Sequence, residues 1–134
     1  MDKKNIRGQI HNSMYRNIQK KGFAAPVDVL MDIGVLSIKA YENWRFGKVA
    51  FLERECKVNL HVLTEVMREM RAYAKDNNLK PSWTYYHQWG KHKDRKLRFS
   101  KSNDEKIEYN YATHFVGINA VERLKNPASE QAEE

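Results

Sequence analysis

The sequence predicts a mainly helical α+β fold, in which about five helices and one β-hairpin surround a single core. Three observations favour this class. Apolar residues recur at helical spacing in several segments, glycines and prolines end those segments, and residues 83–100 are rich in aromatic and strand-forming side chains. We expect residues 1–125 to form one domain and residues 126–134, which are acidic and lack large apolar side chains, to form a disordered tail.

The first predicted helix covers residues 3–21 and ends at Gly22. Its apolar side chains follow one another at four-residue intervals, which places them on one face: Ile6, Ile10, Met14 and Ile18. Such a stripe has to be buried. We therefore expect this helix either to complete the core or to form a homodimer with a second copy of the chain.

Three further helices follow from capping residues and apolar spacing. Pro26 is suited to the first position of a helix over 26–33, because proline lacks an amide hydrogen that would be unpaired there. Ser37 and Asn59 are suited to cap helices over 37–46 and 59–76, with a short helical turn between them near 50–56.

The hairpin and the last helix complete the predicted elements. Two strand-like runs within 83–100 flank a polar turn at 90–95, which predicts a β-hairpin. Ser102 and Glu105 have the spacing of a capping box and predict a final helix over 103–116. The order of two helices, a long helix and a hairpin is the order of a winged-helix fold.

The charge of the chain is the one global property with functional content. The formal net charge is +7 and the sequence pI is about 9.5, with basic clusters in residues 1–22 and 91–101. Excess positive charge attracts polyanions through a long-range field that salt screens. A small basic protein that binds nucleic acid without catalysis is therefore the first functional expectation, with DNA favoured over RNA.

The candidate nucleic-acid-binding residues belong to the hairpin and to the long helix. In a winged-helix protein the long helix enters the major groove and the hairpin turn contacts the backbone. Lysine and arginine suit both roles because they displace counterions from phosphate. The residues predicted to bind are Lys91, Lys93, Arg95 and Arg98 around the hairpin turn, and Arg68, Arg71 and Lys75 on the helix.

Two other modes of nucleic-acid binding remain open. The segments 26–33 and 37–46 could form a helix–turn–helix motif, with polar side chains on the second helix facing the groove. The aromatic residues Trp83, Tyr85, Tyr86 and Trp89 lie beside the basic turn and could stack unpaired bases, unless they belong to the core.

Other functional classes rank lower. The sequence contains no Gly-rich phosphate loop, and its five histidines and Cys56 do not have the spacing of metal ligands. Neither a metal nor a cofactor is therefore expected. His114 could act as a general base, but a lone histidine is a weak indication of an enzyme, which ranks third. The second candidate is a protein-interaction or oligomerisation module whose charge serves only solubility.

The cellular setting follows from cysteine content and hydropathy. Cys56 is the only cysteine, so an internal disulfide is excluded and a reducing compartment is favoured. No apolar run approaches the length of a membrane span, and no secretory signal is visible. We therefore expect a cytoplasmic protein with no membrane partner.

Overall fold

The computed structural model describes residues 3–125 of the chain, so the predicted tail at 126–134 lies outside the described residues. The helices are α1 (Lys3–Lys21), α2 (Pro26–Asp32), α3 (Ile38–Arg45), α4 (Leu60–Asp76), α5 (Glu105–Ala112) and α6 (Ile118–Lys125), with a 3-10 turn at Leu52–Glu55. The strands are β1 (Phe23–Ala24), β2 (Lys80–Trp83) and β3 (Thr113–Val116). These elements confirm the predicted mainly helical α+β class.

Helix α1 contributes its whole apolar stripe to the core of the same chain. Ile10 and Met14 are fully buried, and Ile6 and Ile18 are each 8% exposed. The helix packs against α4, α2 and α6. Because the stripe is covered within the chain, the exposed apolar face on which we based a homodimer is not present.

A polar contact fixes α1 against the end of α2. Ser13 and Asn17 are buried on α1, and both donate hydrogen bonds to the Asp32 carboxylate, at 2.6 Å and 3.0 Å. Buried polar groups are costly unless they are paired, so this cluster orients the two helices as well as satisfying its own members.

Helix α4 has the capping and the apolar face that its sequence predicts. The Asn59 side chain accepts a hydrogen bond from the amide of Val62 at 3.0 Å. The buried side of the helix consists of Leu63, Val66, Met67, Met70 and Ala74.

The three strands form one antiparallel sheet in the order β1-β3-β2. Strand β3 lies in the middle, where Val116 pairs with Phe23 on one side and with Lys80 on the other. The expectation that the last helix extends to Val116 is therefore wrong, because α5 ends at Ala112. The β-branched and aromatic residues that follow form the central strand instead, with backbone partners on both sides.

The predicted hairpin over 83–100 is much shorter than expected. Strand β2 ends at Trp83, and the pairing beyond it is a single bridge between His87 and Lys96. Two backbone hydrogen bonds flank this bridge, from Gln88 to Arg95 and from Leu97 to Tyr86, each at 2.8 Å. The pairing thus holds the long polar turn at its base only.

The winged-helix order of elements is not confirmed. Strand β2 pairs with β3, and α5 lies between these two strands along the chain, so they do not form a hairpin. The basic turn at 90–95 is attached to a single bridge and does not connect two strands of the sheet.

Helix α5 begins at Glu105, two residues later than predicted. Asp104, and not Ser102, accepts hydrogen bonds from the amides of Lys106 and Ile107, at 3.0 Å and 3.2 Å. The predicted capping box is therefore wrong, because an aspartate nearer the helix satisfies the free amides. None of the helices between residues 3 and 125 has the length and apolar character that a membrane crossing requires.

Candidate nucleic-acid interface

Three predicted residues form an exposed group on the turn, which we name the turn set: Lys91, Lys93 and Arg95. The turn is attached to the end of α3, because the amide of Trp89 donates to the carbonyl oxygen of Arg45 at 2.7 Å. The Arg95 guanidinium donates to the side chain of Gln88 at 3.3 Å.

Gly47 allows this close attachment. It has a φ of +74°, and a Cβ atom at this position would lie 2.4 Å from the side-chain oxygen of Gln88. Any other residue would adopt a rarely populated backbone conformation and would displace the end of the Gln88 side chain. Gly47 therefore allows the end of α3 to lie close to the base of the turn.

Arg98 does not belong to the turn set. Its guanidinium donates to the carbonyl oxygen of Ser100 at 2.7 Å and to that of Lys101, and it lies over the Phe51 ring. These contacts hold the Arg98 side chain against the chain after the turn, and its binding of nucleic acid stays a prediction.

The predicted residues on α4 differ in their contacts. Arg68 forms an ion pair with Glu65 at 2.9 Å, one turn away on the same helix. Arg71 and Lys75 are exposed and border an apolar cavity of about 360 Å³ that also includes Tyr109 and Pro81. Arg71 and Lys75 thus lie beside the apolar cavity, whereas the turn set is attached to the end of α3.

The aromatic residues beside the turn are mostly exposed, unlike core residues. Tyr86 is 8% exposed and belongs to the core. A group that we name the aromatic edge keeps between a third and a half of its surface in solvent: Phe46 (46%), Trp83 (41%), Tyr85 (43%) and Trp89 (37%). From Tyr85 to Trp89, exposed and buried residues alternate. This alternation is typical of an extended segment that packs on a core with one face.

The rings of the aromatic edge are in contact with one another in two pairs. Trp89 meets Phe46 edge-on with ring centroids 5.4 Å apart, and Trp83 meets Tyr85 with centroids 4.2 Å apart. Trp83 also stacks on Tyr109 at 5.9 Å, next to the cavity that Arg71 borders.

A cation lies over three of the four rings. The Lys96 ammonium is 3.6 Å from the centre of Tyr85, and the Arg45 guanidinium is 4.7 Å from the centre of Trp89. The Lys48 ammonium is 6.0 Å from the centre of Phe46, at the outer limit of a favourable contact. Positive charge therefore lies against the exposed rings of Tyr85, Trp89 and Phe46.

A second cavity of about 330 Å³ opens beside the aromatic edge, and Tyr85 lines it. Because alternate residues of β3 point to opposite faces, His114 lines this cavity while Thr113 and Phe115 line the apolar one. We name it the histidine cavity after His114. Its other titratable side chains are Lys21, Asp28, Tyr41, Arg45, Tyr85 and Tyr86.

The polar groups of the histidine cavity are arranged in two pairs. The Tyr86 hydroxyl is 2.9 Å from Nε2 of His114, whose ring stacks on Phe23 with centroids 5.2 Å apart. Lys21 forms an ion pair with Asp28 at 2.5 Å.

The electrostatics of these groups favour neutral His114 and neutral Tyr86. Burial lowers the pKa of His114, with the Asp28 carboxylate opposing this shift and the Lys21 ammonium adding to it. Burial likewise raises the pKa of Tyr86. At neutral pH the pair therefore offers a hydrogen-bonding surface without net charge.

Sequence reasoning singled out His114 and the aromatic residues, but it missed the cavity. Lys21, Asp28 and Tyr41 come from segments that are far apart in the sequence, and nothing in their local patterns connects them with residue 114. The signal that existed was the concentration of tyrosine and tryptophan in 83–89, next to the distinctive segment around His114.

Two further observations concern metal ligands and the Cys56 thiol in the part of the chain that is described. No three or more His, Cys, Asp and Glu side chains within residues 3–125 are grouped as metal ligands would be. Burial, with Glu53 and Glu55 nearby, raises the pKa of the Cys56 thiol to about 12, so this thiol remains protonated at neutral pH.

Comparisons with family models, curated proteins and solved structures found no significant similarity to this chain.

Proposed function

We propose that this protein binds nucleic acid without catalysis, and that it holds unpaired bases of a single strand on the aromatic edge. The observation that carries the proposal is the group of four exposed rings, three of which have a cation over them. This arrangement replaces the winged-helix mode as the basis of binding.

Exposed rings favour bases over other polyanion partners. Base stacking on an aromatic side chain contributes about 1–3 kcal/mol per base and tolerates any sequence, since every base has a π-face. Trp83, Tyr85 and Trp89 each present at least a third of their surface to solvent. A duplex keeps its bases stacked on each other, so these rings match a single strand.

The turn set supplies the long-range attraction. Its three cations are exposed, and the first of them lies two residues after Trp89 in the sequence. Phosphate contacts of this kind position a strand and make its affinity fall with salt. The net charge of +7 adds to the attraction.

The first experiment measures the salt dependence of binding to a labelled oligonucleotide by fluorescence anisotropy, for single-stranded DNA, single-stranded RNA and a duplex. We expect a log–log slope of about −3 for the single strands, from four or so phosphates at about 0.7 each. Replacing Lys91, Lys93 and Arg95 together by Ser should flatten this slope by about two units.

The matched control removes the same charge from α4. Replacing Arg68, Arg71 and Lys75 together by Ser should lower affinity less and leave the slope closer to that of the wild type. Equal effects of the two triple variants would mean that only net charge matters. No binding of any strand in low salt would contradict the proposal.

A second experiment separates stacking from charge. Trp83→Ala should weaken single-strand binding by about 1–3 kcal/mol at every salt concentration, with the slope unchanged, because it removes a ring and no charge. Lys39→Ala, at an exposed residue of α3, serves as the control for substitution at the surface. An effect of Trp83→Ala on duplex binding of the same size would argue against unpaired bases as the ligand.

A protein-interaction surface is the second candidate, and one observation favours it. All four residues of β2 are exposed, and β2 is an edge strand of the sheet, so its free backbone groups could pair with a strand of another protein. In that case the anisotropy of labelled oligonucleotides would depend weakly on Trp83 and on the turn set.

A further inference from the structure

The histidine cavity contains a cation without an acidic partner. Among residues 3–125, Lys21 is neutralised by Asp28, whereas Arg45 forms no ion pair with a carboxylate. The Nε atom of Arg45 is buried and lacks a hydrogen-bond partner within the described chain. Its guanidinium lies between the rings of Tyr86 and Trp89, at 5.0 Å and 4.7 Å.

From this geometry we propose that the histidine cavity binds one nucleotide, with the phosphate on Arg45 and the base against the aromatic wall. The inference rests on the proposed function, since the nucleotide is one unit of the strand that the aromatic edge holds. The same chemistry is present in a free nucleoside monophosphate, and the experiment below separates the two sources.

The position of Arg45 suits a phosphate. A guanidinium that stacks on rings presents its N–H groups edgewise, and these donors match phosphate oxygens two at a time. Asp28 would repel a phosphate, but its ion pair with Lys21 compensates its charge. The cavity therefore has one uncompensated positive charge, located at Arg45.

The size and walls of the cavity suit a nucleotide. Its volume of about 330 Å³ is within the range of small-molecule sites, which begins near 300 Å³. Phe23, Tyr85 and Tyr86 provide aromatic surface for a planar base. The Tyr86–His114 pair adds uncharged hydrogen-bonding groups that can meet the base or the sugar.

The location of the cavity connects it with the strand. Tyr85 lines the cavity and belongs to the aromatic edge, and Arg45 lies over both Tyr86 in the cavity and Trp89 on the edge. A strand lying along the edge can therefore place one nucleotide in the cavity while its neighbours stack outside.

The experiment uses the full chain and records NMR chemical-shift changes on addition of 5′-nucleoside monophosphates, of the corresponding nucleosides and of inorganic phosphate. Oligonucleotide affinity is measured in parallel. Two variants alter the cavity: Arg45→Gln removes its cation, and Thr84→Met fills it from its exposed rim without adding a ring or a charge. Lys39→Gln on the same helix is the control for the loss of one positive charge.

We expect millimolar nucleoside monophosphates to bind, and Arg45→Gln and Thr84→Met each to weaken this binding about tenfold while Lys39→Gln leaves it unchanged. If free nucleotides do not bind, the inference still holds when both cavity variants weaken oligonucleotide binding and the control does not. The source is then the strand alone.

Two outcomes would overturn the inference. One is that Thr84→Met changes neither nucleotide nor oligonucleotide binding. The other is that nucleosides or inorganic phosphate bind as well as the nucleotides do. In both cases the slope change from the turn set would continue to support the proposed function. Conversely, nucleotide binding without any oligonucleotide binding would refute the proposed function and leave the cavity as a site for free nucleotides.

Discussion

Glu108 is a single residue on which the path of the chain after the turn depends. Its carboxylate accepts hydrogen bonds from the amides of Phe99 and Ser100, at 2.9 Å and 2.7 Å, and from the Ser100 hydroxyl at 2.5 Å. Phe99 and Ser100 are buried, so water cannot replace the carboxylate without a change in packing.

We expect Glu108→Ala to lower the free energy of unfolding by roughly 2–4 kcal/mol, because two buried amides lose their acceptor at about 1–3 kcal/mol each. Urea denaturation followed by circular dichroism measures this change. Glu105→Ala on the same helix removes an equal charge from an exposed side chain and should cost no more than about 1 kcal/mol. A similar loss for both variants would show that helix charge, and not the hydrogen bonds, is responsible.

His114 makes stability depend on pH in a direction that its environment sets. Its pKa is lowered in the fold by burial, with Asp28 opposing and Lys21 adding, while Tyr86 and Phe23 contact its ring. In the unfolded chain a histidine titrates near 6.5. The unfolded state therefore binds the proton more tightly, and the free energy of unfolding falls as the pH drops below about 6.5.

The variant His114→Gln should lack this part of the pH dependence. The difference in unfolding free energy between wild type and variant is expected to be constant above about pH 7 and to shift in favour of the variant towards pH 5. Urea denaturation at several pH values measures it, and the carboxylates and other histidines cancel in the difference. A difference that is the same at all pH values would mean that His114 is protonated equally in both states.

Helix α1 shows how a regular element can be predicted from its spacing alone. Its bounds and its buried stripe agree with the sequence pattern. A stripe of large aliphatic residues is stable only when it is buried, and the neighbouring helices bury it. The stripe packs against α4, whose buried residues also lie on one face of their helix.

Ile10→Ala should lower the free energy of unfolding by about 2–5 kcal/mol, because Ile10 is fully buried and the substitution leaves a cavity. Tyr15→Ala, at a residue of the same helix that is 59% exposed, should change stability by no more than about 0.5 kcal/mol. Chemical denaturation of the two variants gives the comparison. Equal and small losses would indicate that α1 is not part of the cooperative core.

The sheet could not be predicted in the same way, since its partners are not local. Thr113–Val116 continues a helical pattern and becomes a strand only because Phe23–Ala24 and Lys80–Trp83 offer it backbone partners. Strand β1 is two residues long, too short for any periodic signal. The helical spacing is therefore overridden where distant strands pair with residues that themselves suit a strand.

At the scale of the whole molecule, the charge was predictable and its arrangement was not. The sequence gives the sum of +7, but Arg98 is occupied by backbone carbonyls and Arg68 by Glu65, while Arg45 is free of carboxylate partners among residues 3–125. Pairing of this kind depends on side chains from distant segments. A candidate site inferred from charge clusters therefore needs the fold before its members can be chosen.

The central position of β3 also has a consequence for biosynthesis. Strands β1 and β2 have no pairing with each other, so neither can join a sheet before residues 113–116 have left the ribosome. Helices α1 to α5 are made by then, and their apolar faces remain exposed together with the two unpaired strands. Because closing such long loops delays folding, the nascent chain exposes aggregation-prone surface until β3 is available. Its yield in cells should thus depend on chaperone capacity.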